Sequence, residues 1–172
     1  LEMPIRQQKD QASRALEHID FLKNKFPNVE GFTVDLNEPF EALYKTFDVK
    51  DDEFPAEKLA FANTRSRLRM LTLYYYGQIN GLLVCGTGNK VEDFGIGFYT
   101  KYGDGGVDVS PIADLYKTEV YALARALDLP ESIKNAIPTD GLWDVDRTDE
   151  QQIGATYPEL EKIQKEWGTK TE

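Results

Sequence analysis

Residues 82–117 concentrate groups suited to phosphate and divalent cations. An apolar run, LLVC, ends in Gly86-Thr87-Gly88-Asn89 and is followed by a carboxylate at Glu92, lysines at Lys101 and Lys117, and aspartates at Asp104 and Asp108. A short continuous apolar run that stops at glycines reads as a buried strand. In an open parallel sheet, ligands bind beyond the carboxyl ends of the strands, so the Thr87 hydroxyl and the loop N–H groups would sit at such a site. Glu92 would face the same crevice, although a solvated carboxylate in a first helical turn, favoured by the helix dipole, accounts for it equally well. Further on, FYTKYGDGGVDVSP sets Gly103, Gly105 and Gly106 around Asp104. Such a run lets the backbone take positive φ and turn N–H groups toward an anion. A plain surface turn would explain Asp-Gly-Gly as well. The neighbouring Phe98, Tyr99, Lys101 and Tyr102 favour a ligand loop, because aromatic faces beside a lysine suit a planar ring with negative charge, though a core edge would use the same residues.

The scaffold for these groups reads as α/β. The chain has 172 residues, enough for one domain with a core. A net charge of −10 and a pI near 4.7 argue against nucleic acid, and no basic stripe is present, so small molecules or a second copy are the expected partners. The single cysteine, Cys85, lies in the apolar run; this excludes a disulfide framework and fits a reducing cytoplasm. No run has the length of a membrane span, and no signal peptide is visible.

Residues 10–26 show helical spacing of Ala12, Leu16, Ile19 and Phe26, with His18 among the polar positions as a surface imidazole. Residues 29–36 alternate as a strand on Phe32, Val34 and Leu36. Asn37 should then cap a helix with Pro39 second and with Phe40, Leu43, Tyr44 and Phe47 on its buried side. Residues 48–55 are an acidic connection. A long helix follows over 56–77, with Gly77 as its stop. Residues 117–127 form another helix, with Val120, Leu123, Ala124 and Leu127 inward and Pro130 ending it. A short proline-bounded piece covers 131–138, a loop follows at 139–143, and Thr148-Asp149-Glu150-Gln151 is a capping box opening the last short helices, which include 158–167. Strands alternating with helices imply a parallel sheet with right-handed crossovers.

Within the long helix, Arg65, Arg67 and Arg69 occupy alternate positions. Residues two apart on a helix point about 200° from each other, so the three cannot share one face. A solvated face is the ordinary account of them. Here, however, the strings combine: Gly-Thr-x-x-x-x-Glu, GFYTKYGDGGVD, LYKTEV and Asn-x-x-x-Arg-x-Arg-Met together resemble the ammonia-using NAD synthetases, members of the N-type ATP pyrophosphatase group. TKYGDGG is highly characteristic of that family, and the resemblance covers nearly the whole chain.

The resemblance implies a doubly wound parallel sheet of the adenine nucleotide α-hydrolase type, Rossmann-like, usually paired into a homodimer through long helices; Tyr74, Tyr75 and Tyr76 would pack at a subunit or sheet interface. It also implies a two-step reaction: deamido-NAD is adenylated by ATP, and ammonia then displaces AMP to give NAD. By position, Glu92 matches the Mg²⁺ ligand. Thr87, Lys117 and Thr139 match ATP contacts, with Lys117 also catalytic as pyrophosphate departs. Arg67, Lys101 and Asp108 match deamido-NAD contacts. Asp104, in the glycine loop, is the candidate for holding ammonia.

Departures from the family pattern are equally definite. The phosphate loop Ser-Gly-Gly-x-Asp-Ser and a C-terminal His-Lys pair are absent, one residue near Ile96 is inserted, and Gly88-Asn89 stands where some members have Asp-His. The expectation is therefore a single synthetase-like domain over 1–172 that is incomplete at both ends. As given, it would bind part of the substrate without turnover. Two other classes stay open: the synthetase half of another ATP pyrophosphatase amidotransferase, and a non-catalytic acidic α/β binding module.

Overall fold

The computed structural model describes residues 1–47, 54–143 and 147–168. The acidic connection at 48–53 and the polar end of the chain lie outside the described residues. Among the described residues there are seven α-helices: α1 (Lys9–Lys25), α2 (Asn37–Thr46), α3 (Pro55–Asn80), α4 (Lys117–Ala126), α5 (Glu131–Lys134), α6 (Asp149–Ile153) and α7 (Tyr157–Gly168), with a π-helical turn at Glu92–Ile96. Among the described residues, no helix is long and apolar enough to cross a membrane.

The two expected strands are reduced to isolated parallel bridges, Glu2 with Thr33 and Cys85 with Val109. Around the first, the Val34 N–H donates to the Glu2 carbonyl at 2.8 Å and the Leu36 N–H to the Pro4 carbonyl at 3.1 Å. Around the second, the Asp108 N–H donates to the Val84 carbonyl at 2.9 Å and the Gly86 N–H to the Val109 carbonyl at 2.7 Å. Pairing begins only at Val84, so the apolar run is not a buried strand throughout: Leu82 and Leu83 are 67% and 71% exposed, and Cys85 is exposed as well.

The core is small. Ile5, Leu36 and Phe40 are buried together, with Met3, Val34, Phe61 and Leu68 packed against them. Phe61 of α3 meets Phe40 edge-on at 5.9 Å and Tyr44 at 4.8 Å, which joins α2 to α3. Two guanidiniums flank the Phe40 ring, Arg6 at 5.4 Å and Arg65 at 5.1 Å from its centroid. An aromatic face attracts such cations, which allows charged residues next to a fully buried ring.

Two cap assignments change. Asn37 is the first helical residue rather than the cap; its Oδ1 accepts from the Arg6 N–H at 2.7 Å, while its own N–H donates to Asp35 Oδ1 at 2.8 Å. Gly77 does not end α3. The helix continues to Asn80 and stops at Gly81, whose φ of 64° is the left-handed conformation glycine adopts most easily. Gly77 is buried because the Leu82 carbonyl passes 3.0 Å from where a β-carbon would be. His18 is half-buried rather than fully solvated, with an edge contact to Phe21 at 6.2 Å, and it does not line the cavity described below.

Replacing Phe40 by Ala should cost about 3–5 kcal/mol of folding stability, the range for emptying a buried aromatic site. The urea unfolding midpoint measures it; a loss under 1 kcal/mol would show that the core lies elsewhere.

Candidate active site

Glu92 stands at the centre of the site because its neighbours in sequence fix it locally. The preceding Asn89 is buried; its Oδ1 accepts from the N–H groups of Val91 at 2.9 Å and Glu92 at 3.1 Å, and its Nδ2 donates to Glu92 Oε2. The chain then takes the π-helical turn over Glu92–Ile96 and leaves it through Gly97, at φ 72°. A π turn holds one residue more than an α turn.

Lys117, the first residue of α4, reaches across to Glu92: its Nζ lies 2.7 Å from Oε1, with side chains 16% and 13% exposed. The N-terminus of α4 is tied twice, by Glu119 accepting from the Tyr116 N–H at 2.7 Å and by Glu161 of α7. The buried Glu161 carboxylate accepts from the N–H and the hydroxyl of Thr118, at 2.9 and 2.8 Å. An anion at a helix N-terminus is stabilised by the helix dipole, and this one sets the position from which Lys117 starts. From the same helix, Gln164 Nε2 donates to the Val91 carbonyl at 3.2 Å.

Tyr157 and Asp149 complete the cluster. The Tyr157 hydroxyl donates to Glu92 Oε1 and lies 3.2 Å from Asp149 Oδ2, and Lys117 Nζ lies 4.8 Å from the centroid of its ring. Burial and the two carboxylates push the Tyr157 phenol upward, so it stays a donor. Burial, then the Glu92 charge, pushes Asp149 up to about 6. Burial, then Asp104 and Glu92, does the same for Asp93. Asp149 Oδ1 is buried with no hydrogen-bond partner among the described residues.

The glycine loop is strapped to α3. Asp104 Oδ1 accepts from the Ser66 hydroxyl at 2.7 Å and the Thr100 N–H at 3.0 Å, and the Thr100 hydroxyl pairs with Asn63 Oδ1 at 2.7 Å. A β-carbon on Gly103 would fall 2.2 Å from Ser66 Oγ, so the loop can lie this close only with glycine there.

These parts enclose a cavity of about 620 Å³. Of the residues expected from sequence, Thr87, Glu92, Asp104, Lys117 and Thr139 line it, with Phe98, Tyr99 and Trp143 as aromatic walls. Thr139 donates its hydroxyl to the Arg147 carbonyl at 2.9 Å. Size and lining suit a small polar ligand with a planar ring.

Arg67, Lys101 and Asp108 do not line the cavity. Arg67 Nε donates to the Lys101 carbonyl at 3.1 Å, and Lys101 Nζ sits 5.0 Å over the Tyr102 ring. Asp108 accepts from the Tyr74 hydroxyl at 3.1 Å and the Val84 N–H at 2.8 Å. Arg67 and Tyr74 are seven apart and share a face of α3, so these three residues gather on the outer flank of that helix. Arg69 points the other way, into the cavity lining, donating to the Met3 carbonyl at 3.1 Å and Gln7 Oε1 at 2.9 Å. Sequence reasoning missed Asn89, Asp93, Asp149 and Tyr157. Asp149 was visible only as part of a capping box, and no local signal links Tyr157 to a carboxylate 65 positions away.

A family model described as NAD synthase matches residues 1–172. Among curated proteins, the NH(3)-dependent NAD(+) synthetase of Carboxydothermus hydrogenoformans is 47% identical over 134 residues, covering 78% of this chain and 54% of that one. That of Finegoldia magna is 45% identical over 128 residues, covering 74% and 50%. The chain thus spans about half the length of the curated relatives it matches. Among solved structures, NMN synthetase from Francisella tularensis superposes with a TM-score of 0.82 at 33% identity, over 95% of this chain and 64% of that one. An NH3-dependent NAD synthetase from Campylobacter jejuni superposes at 0.63 with 28% identity, over 77% and 53%.

Crowded carboxylates give a pH signature. With the Asp149 carboxyl at about 6 in the fold against an ordinary 3.8, the folded state holds the extra proton between those values, so stability falls as pH rises through that window. Asp149→Asn should therefore raise the thermal midpoint more at pH 8 than at pH 5. A shift independent of pH would show that Asp149 is not under this strain.

Proposed function

The chain belongs to the NAD synthase family, and we propose that it performs the ATP-dependent amidation of deamido-NAD to NAD. A carboxylate is a poor electrophile at neutral pH, so an oxygen of the nicotinate carboxylate first attacks the α-phosphorus of ATP. The bond to the β-phosphate oxygen breaks and pyrophosphate leaves. Ammonia then adds to the acyl carbon of the adenylate, a proton is lost, and AMP departs, leaving the amide. The observation that carries this reading is the convergence of Thr87, Glu92, Lys117 and Thr139, expected as ATP and metal contacts, on one cavity.

In this reading Lys117 turns from Glu92 to a phosphate oxygen as pyrophosphate leaves, a preorganised charge where negative charge develops. Thr87 and Thr139 offer hydroxyls to the nucleotide. Glu92 is the Mg²⁺ ligand. The fit is supported by the charge balance: burial, with the charges of neighbouring carboxylates added, pushes Asp93 and Asp149 up to about 6, and Lys117 is the cation paired to Glu92. Among the described residues no three such side chains converge to hold a metal alone. This suits a cation that takes one or two carboxylates and completes its shell with substrate phosphates and water. When bound, Mg²⁺ would neutralise phosphate charge during displacement.

Arg67, Lys101 and Asp108 are the proposed deamido-NAD contacts. Their place on the outer flank of α3, beside exposed Leu71, Tyr75 and Ile79, favours a homodimer in which a second copy closes over that flank. The two parallel pairings are proposed to belong to one doubly wound sheet of the adenine nucleotide α-hydrolase type, which the likeness to the Francisella structure supports. Because that structure is an NMN synthetase, nicotinate mononucleotide is a second candidate for the acid. The reaction consumes ATP, and we place it in the cytoplasm.

Exchange of labelled pyrophosphate into ATP, measured on the full-length protein with Mg²⁺, tests the reading. Exchange should require deamido-NAD, exceed that with nicotinate mononucleotide, and fall at least about 100-fold in Glu92→Gln, as loss of a metal contact predicts. Exchange without either acid, or undiminished in the variant, rejects it. Separately, Asp104→Asn should raise the ammonium concentration needed for half-maximal amidation; unchanged dependence would leave Asp104 only its bonds to Ser66 and Thr100.

A further inference from the structure

Tyr157 is where α4, α7 and the π-helical turn meet around Glu92, and the chemistry above gives it no part. The residue is buried, and its two working surfaces face different partners: the hydroxyl donates to Glu92 Oε1, and the ring face carries Lys117 Nζ at 4.8 Å. Resting on the reading of Glu92 as metal ligand and Lys117 as phosphate contact, we infer that Tyr157 is a positioning residue that holds each of them independently, the carboxylate by its hydroxyl and the ammonium by its ring.

Without ligand, Glu92 Oε1 accepts from both Lys117 and Tyr157, and the lysine largely neutralises the carboxylate. A nucleotide phosphate competes for that lysine. As Lys117 turns away, Glu92 loses its strongest partner, and a side chain without one would sample other rotamers. The Tyr157 hydroxyl remains, so the carboxylate keeps its direction, with Asn89 holding Oε2 from the other side. Attraction to a ring face fixes where a cation sits but leaves its N–H groups free to choose acceptors. Lys117 can therefore change partner while staying over the ring.

Docking of α7 does not require this arrangement. The Tyr157 N–H is already bonded to Glu150 Oε1 at 2.9 Å, and Glu161 and Gln164 tie the helix to Thr118 and Val91. The hydroxyl lies between Glu92 and Asp149, within hydrogen-bond reach of both carboxylates, and not against the rest of the core.

Tyr157→Phe keeps the ring and removes the hydroxyl; Tyr157→Leu removes both. In the full-length protein, Tyr157→Phe should raise the Mg²⁺ concentration for half-maximal exchange by about 10- to 100-fold, while the KM for ATP at saturating Mg²⁺ stays within about twofold. Tyr157→Leu should raise that KM as well. Calorimetric titration with ATP, with and without Mg²⁺, gives a readout apart from turnover: Tyr157→Phe should lose the part of the affinity that Mg²⁺ adds and keep the metal-free part. Should Tyr157→Leu fail to fold by its thermal midpoint, the Phe variant carries the test alone.

Wild-type Mg²⁺ dependence in Tyr157→Phe, by both measures, overturns the inference. So does a fall in kcat that is equal in the two variants and leaves Mg²⁺ dependence untouched, which marks a purely structural role. If wild type shows no exchange with deamido-NAD yet its Mg²⁺-dependent ATP binding needs the hydroxyl, the amidation reading fails and the role of Tyr157 stands. ATP binding that is indifferent to Mg²⁺ in wild type overturns it.

Discussion

The arrangement depends on one ion pair that is largely withdrawn from water, Glu92 with Lys117. Desolvating two charges costs several kcal/mol each, and their attraction compensates only when the geometry is good and the remaining lone pairs and N–H groups are satisfied. Every nearby element contributes to that condition. Asn89 and the π-helical turn aim the carboxylate, Glu161 anchors the start of α4 and with it the lysine, and Tyr157 touches both partners. The pair does little for stability by itself. It is a charged centre held ready for exchange, and the helices after residue 148 are its support as much as they are part of the fold.

Around the pair the site carries excess negative charge, as the chain does overall. Burial first, and then the neighbouring carboxylates, Glu92 for Asp149 and Asp104 with Glu92 for Asp93, push both groups well above the usual carboxylate range. A protein selected for stability alone would replace one of them. Their presence is intelligible if the balancing positive charge arrives with the substrate, so that binding relieves a repulsion the fold has already absorbed.

Much of the helical framework was legible from sequence, because amphipathic spacing and caps are local. The helix at 117–127 ends one residue later than α4, and the Thr148 capping box forms as expected. Gly77 misled because a buried glycine inside a helix and a terminating one look alike until the path of residue 82 is known. The strands were legible as apolar runs but not in extent, since Leu82 and Leu83 stay exposed and burial depends on partners that no local pattern specifies. In the site, Glu92, Lys117, Thr87 and Thr139 were named through family strings and meet at one cavity, while Arg67, Lys101 and Asp108 gather on another flank. Tyr157 and Asp149 were invisible for a simple reason: their meaning lies entirely in a contact made across tens of residues, and tyrosine before proline or aspartate inside a capping box has an ordinary local explanation.

The glycine loop is fastened along α3 at Asn63, Ser66, Arg67 and Tyr74, a stretch of helix about 17 Å long at 1.5 Å per residue. Its shape is therefore written in the register of the helix as much as in its own glycines. The portable unit in this protein is the helix and loop together: grafted into another scaffold without residues 63–74, the TKYGDGG string would carry its sequence signature and lose its conformation.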